Sequence, residues 1–112
     1  MHLVFEPVNR FRSCGNEIQI CRTSYQGIEI TERSFFPWNP LKKSSFVYVP
    51  DLLIAEQDQL ADFCRQRAED YSLSDHYYTE PGFFLAECKT MEACLDLIEY
   101  FKSSNPNTTP VQ

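Results

Sequence analysis

The side chains of this 112-residue chain that could serve as nucleophile, base or metal ligand are few: His2, His76 and the five cysteines Cys14, Cys21, Cys64, Cys88 and Cys94. A cysteine/histidine enzyme would need a thiolate beside an imidazole, and His76 with Cys88 is the pair that a single predicted hairpin brings together. No cationic neighbour is present to lower that thiol, and a core or edge position accounts for both residues. The cysteine spacings do not suit zinc. Cys14 and Cys21 are separated by six residues and Cys88 and Cys94 by five, whereas structural zinc pairs stand about two to four apart. Asp75 and His76 are adjacent, and on a strand adjacent side chains point to opposite faces. The carboxylates Glu56, Asp58, Asp62, Glu69 and Asp70 fall on the polar side of an amphipathic helix, where solvation explains them better than an acid/base dyad. The three glycines are each claimed by a turn, leaving no phosphate loop. The sequence therefore assigns no catalytic residue, metal ligand or cofactor.

The totals set the frame for those side chains. The length suits one domain, and 43% hydrophobic with 23% charged residues is an ordinary globular mixture. We expect residues 1–102 to form one α+β domain and residues 103–112 a flexible polar tail. No apolar run approaches the roughly 18–20 residues of a membrane span, and the N-terminus lacks the pattern of a secretion signal. An odd number of cysteines without export signals predicts reduced thiols and a cytoplasmic setting. The net charge of −6 disfavours nucleic acid and anionic membranes. It is unevenly placed, with six basic against four acidic residues up to Val49 and four against twelve beyond it.

The first third reads as an antiparallel meander: Leu3 to Val8, Phe11 to Ser13, Glu17 to Arg22 and Ile28 to Arg33 are short and rich in β-branched or aromatic residues. Gly15-Asn16 is expected as the loop of the first hairpin and Gly27 as the left-handed residue of the next, a conformation that Tyr25 or Gln26 would resist. Ile18 and Ile20 on one strand and Ile28 and Ile30 on the next each form an apolar stripe that calls for a covering helix. Ser34 to Pro40 reads as a proline-bounded aromatic loop carrying Phe35, Phe36 and Trp38. Phe46 to Val49 resumes as a strand, followed by a helix from Ile54 to about Tyr71 with Leu53, Leu60, Phe63, Cys64 and Tyr71 inward. Asp75 to Thr79 and Phe83 to Cys88 form a hairpin about Glu80-Pro81-Gly82. Thr90 caps a second helix with Met91, Cys94, Leu95, Ile98 and Phe101 inward.

From Phe46 onward the order strand, helix, hairpin, helix resembles the RNA recognition motif, a four-stranded sheet with two helices on one face. Val47-Tyr48-Val49-Pro50-Asp51-Leu52 is similar to that family's first signature, with Asp51 in place of Asn, and Gly82-Phe83-Phe84-Leu85 stands where its second begins. The resemblance implies base stacking on Tyr48, Phe83 and the Leu85 position, bordered by Lys42, Lys43 and Lys89. Pro81, Phe84, Leu85 and Cys88 depart from the second signature, and no fourth strand follows Phe101.

The fold we expect is an antiparallel sheet of five to seven strands, an N-terminal meander plus a β-α-β-β-α unit of ferredoxin-like tendency, with two amphipathic helices on one face. With chemistry thin and charge unfavourable to nucleic acid, the expected function is a small non-catalytic protein-binding module. Phe36, Trp38 and Tyr78 are its expected apolar contacts, and Glu56, Asp62 and Asp70 its steering charges toward a basic partner. A homodimer through the open sheet face or an edge strand is a further expectation.

Overall fold

A computed structural model describes residues 3–36, 43–73 and 82–104. Among these residues the chain is α+β, an antiparallel sheet of six strands with two helices. In chain order they are β1 (Glu6–Ser13), β2 (Asn16–Tyr25), β3 (Ile28–Phe36), β4 (Ser44–Pro50), α1 (Ile54–Gln66), β5 (Tyr71–Leu73), β6 (Phe83–Cys88) and α2 (Met91–Ser104). The sheet order is β1-β2-β3-β4-β6-β5, with every neighbouring pair antiparallel. No helix among the described residues is long and apolar enough to cross a membrane.

The meander is longer and more continuous than its sequence predicts. The two expected N-terminal strands are one strand, β1, with a register shift between Pro7 and Asn9 that absorbs the irregularity. The first loop is Cys14-Gly15 rather than Gly15-Asn16, because Ser13 pairs directly with Asn16. Both loop residues have positive φ, 51° and 81°, and Gln26-Gly27 repeats the pattern at 52° and 81°. Two left-handed residues in succession match the twist of the flanking strands, so Cys14 and Gln26 accept the conformation that Gln26 was expected to resist.

Strand alternation then divides the sheet. Ile28 and Ile30 of β3, Val47 and Val49 of β4, Tyr71 of β5 and Phe84, Ala86 and Cys88 of β6 join the buried residues of α1 and α2 in one cluster. From the helices come Leu60, Ala61, Phe63 and Cys64, then Ala93, Cys94, Leu97, Ile98 and Phe101. Thr90 caps α2 as expected, its Oγ1 accepting the Ala93 N–H at 3.1 Å. The first helix stops at Gln66 instead of Tyr71. Tyr71 is drawn into the sheet opposite Cys88, and its buried hydroxyl donates to the Ala93 carbonyl of α2 at 2.6 Å. Leu53, expected inward, is the exposed residue before α1. Gln57 anchors α1 to β6 by donating to the Phe83 carbonyl at 2.9 Å. The expected Asp75 to Thr79 strand and most of the tail, residues 105–112, lie outside the described residues. Among the described residues β6 pairs with β4 on one side and with β5 on the other.

Candidate binding surface

A two-residue loop fixes which side chains share a face. Gln26-Gly27 sets Tyr25 opposite Ile28, so Ile20 lies opposite Arg33 and Ile18 opposite Phe35, on the side of the sheet away from Ile28 and Ile30. The apolar stripes of β2 and β3 therefore serve opposite faces, and the one on β2 does not meet the helices. Across β3, β4 and β6 the same face carries Arg33, Thr31 and Glu29, then Phe46 and Tyr48, then Phe83, Leu85 and Glu87. None of these side chains belongs to the helix-covered cluster. Ile18 is buried outside that cluster, flanked in register by Phe11 and Phe35. Ile20, Phe46, Tyr48, Phe83 and Leu85 are half-buried.

A depression of about 430 Å³ occupies the middle of this face, lined by Ile20, Glu29, Thr31, Arg33, Phe46, Tyr48 and Leu85. Arg33 holds its guanidinium 5.4 Å from the Phe35 ring centroid and 5.3 Å from that of Phe46, within cation–π range. Its Nε is buried with no hydrogen-bond partner. Glu29 is not its counter-ion, because that carboxylate pairs with Arg22 at 3.1 Å and accepts the Thr31 hydroxyl at 3.4 Å. Among the described residues this partly desolvated cation is thus held by aromatic rings and no carboxylate, an arrangement that favours an incoming carboxylate.

The two aromatic positions implied by the nucleic-acid resemblance do come together. Tyr48 and Phe83 lie on this face with ring centroids 6.0 Å apart and planes inclined by 40°. Their expected basic border does not assemble around them. Phe83 is opposite Pro50, while Lys43 and Lys89 flank the far ends of β4 and β6, where Ser45 pairs with Cys88. Lys89 lies six positions beyond Phe83, roughly 20 Å along a strand. Lys43 is paired with Glu32 at 3.5 Å. Lys42 lies outside the described residues.

The expected protein contacts fare unevenly. Phe36 belongs to β3 rather than a loop, its backbone opposite Glu17, because the β2 pairing extends through Phe35 and Phe36 and meets the proline only afterwards. Trp38 and Tyr78 lie outside the described residues. Asp62 is exposed and pairs with Arg65 at 3.2 Å. Asp70 is exposed, its carbonyl accepting the Lys89 N–H at 2.8 Å. Glu56 is a correction. It is 8% exposed and its carboxylate accepts the Leu53 N–H at 2.9 Å, so it closes the start of α1 instead of steering a partner. Glu56→Ala should cost about 1 kcal/mol, read as a lower urea midpoint at unchanged slope.

Of the proposed cysteine/histidine pair, His76 lies outside the described residues. Cys88 is buried on the helix side, and a hydrogen bond with Cys94 together with burial pushes its thiol far up. Burial also pushes Cys64 up to about 12. Both are protonated near neutral pH, the opposite of an activated nucleophile. Among the described residues, no three potential metal ligands gather. From the sequence Arg33, Phe46 and Glu87 carry no binding role and Ile20 is marked as helix-facing, whereas Ile20 lies opposite Arg33 on the other face. The register of the Gln26-Gly27 hairpin was the available signal for them.

The chain matches no protein-family model, and no curated protein or solved structure is significantly similar to it.

Proposed function

We propose that this chain is a small non-catalytic protein-binding module, of the adaptor, inhibitor, immunity-type or assembly-factor kind, that meets its partner through the sheet face built around Arg33. The observation that carries the reading is the row of Ile20, Phe46, Tyr48, Phe83 and Leu85 outside the helix-packed cluster, beside an Arg33 guanidinium that has no ion-pair partner among the described residues. Aromatic and Arg side chains clustered in a shallow depression are what protein interfaces concentrate at their centres. The order β4-α1-β5-β6-α2, with β3 beside β4 in place of a later fourth strand, supports a ferredoxin-like unit with both helices on the side away from this face. The exposed acids Asp62 and Asp70 offer a basic partner a second, solvated surface. The free cysteines suit a reducing, cytoplasmic setting.

The Tyr48–Phe83 pair favours RNA binding as the second reading, and the distant, partly neutralised lysines weigh against it. Capture of partners from an extract separates the possibilities. Tyr48→Ser/Leu85→Ser should lower protein retention by about tenfold or more, while Asp62→Asn changes it little. Equal retention by the face variant and the parent chain contradicts the proposal. Salt-sensitive binding of a short single-stranded RNA, lost in Tyr48→Ala, establishes the second reading instead.

A further inference from the structure

We propose that the partner on this face is a second copy of the chain, stacked sheet to sheet about a two-fold axis along β4; the inference rests on the protein-binding reading above. An isologous contact needs a patch that contains its own complement on either side of the axis. This face has one. Among the described residues neither Arg33 on β3 nor Glu87 on β6 makes an ion pair. The two flank β4, with Arg33 opposite Ser44 and Glu87 opposite Phe46. Within one chain they are two strand spacings apart, with the Phe46 ring between them, and they form no ion pair with each other.

Rotation by 180° about an axis parallel to β4 in the plane of contact places β3 of each copy over β6 of the other. Arg33 of each copy then faces Glu87 of its counterpart, offset by two residues or roughly 7 Å along the strand. A guanidinium on a long side chain spans that offset across the roughly 10 Å between stacked sheets. Phe46 and Tyr48 lie on the strand that carries the axis and meet their own counterparts, closing the depression from above. The contact forms two symmetric ion pairs around an aromatic centre and gives the desolvated Arg33 the carboxylate it lacks. Glu29, taken by Arg22, is not needed.

Sedimentation equilibrium on the full chain, with circular dichroism as a check on folding, tests this. The parent chain should be dimeric. Arg33→Glu and Glu87→Arg should each weaken the dimer by at least about tenfold, since both put like charges together twice. Mixed in equal amounts, the two variants should form a heterodimer within about threefold of the parent affinity, because each then supplies the charge that the other needs. Restoration in the mixture also shows that both variants fold. A monomeric parent chain overturns the second-copy proposal, and the protein-binding reading is then judged separately by the capture comparison of the face variant. A dimer indifferent to both charge reversals, or one not restored on mixing, overturns it as well, since the copies then meet elsewhere.

Discussion

Phe84→Ala is expected to destabilise the fold by about 3–5 kcal/mol, a large share of the roughly 5–15 kcal/mol that holds a domain of this size. Phe84 is 1% exposed and is the largest of the fully buried side chains among the described residues. It sits on β6 opposite Val49 and belongs to the cluster shared with both helices. Truncation leaves a cavity between rigid elements that close only in part. Phe83, its neighbour in sequence, points to the other face beside Tyr48. Phe83→Ala should therefore cost about 1 kcal/mol or less in stability and be felt in binding instead. Urea titration of the two variants reads the contrast. Equal losses would mean that the face around Tyr48 is itself core and would remove the basis for a docking surface.

Alkaline titration should produce the second large effect. Cys64 is pushed up to about 12 by burial, and Cys88 is also raised, chiefly through its hydrogen bond with Cys94 and then by burial. In the unfolded chain these thiols ionise near 8.5–9. The folded-state values are the higher ones, so the unfolded state loses protons first as pH rises. The stabilisation is complete below the unfolded value and falls above it, from about pH 9 until the folded thiol itself ionises, near 12 for Cys64. Each thiol neutral in the folded chain and ionised in the unfolded one contributes a decline of about 1.4 kcal/mol per pH unit across that window. Urea midpoints between pH 7 and 10.5 should fall steeply, and less so in Cys64→Ala/Cys88→Ala. A pH-independent midpoint would contradict the burial of these thiols.

Most secondary structure was legible because it depends on local pattern. The span of β6 and the capping of α2 by Thr90 follow from turn residues, alternation and a single hydroxyl. The end of α1 was not legible locally, since Tyr71 continues the helical period yet is held by a β-pairing and a hydrogen bond from a distant helix. Glu56 likewise fits the polar side of a helix by period, and only its place three residues beyond Leu53 makes it a cap. The binding surface was hidden by a register question. Ile18 and Ile20 look equivalent to Ile28 and Ile30 in sequence, and one residue of loop position decides that the first pair turns away from the helices. The strand beside β4 on the side away from β6 is β3, which precedes β4 in the chain instead of following Phe101.

The central claim is that the face around Arg33, Phe46 and Tyr48 meets protein. The most direct measurement is light-induced cross-linking from benzoylphenylalanine placed at position 48, with the adducts identified by mass spectrometry. Adducts with protein are expected, joined through this face and absent when the same group replaces Asp58 on the solvated side of α1. Adducts to nucleic acid alone, or protein adducts formed equally well from both positions, would contradict it.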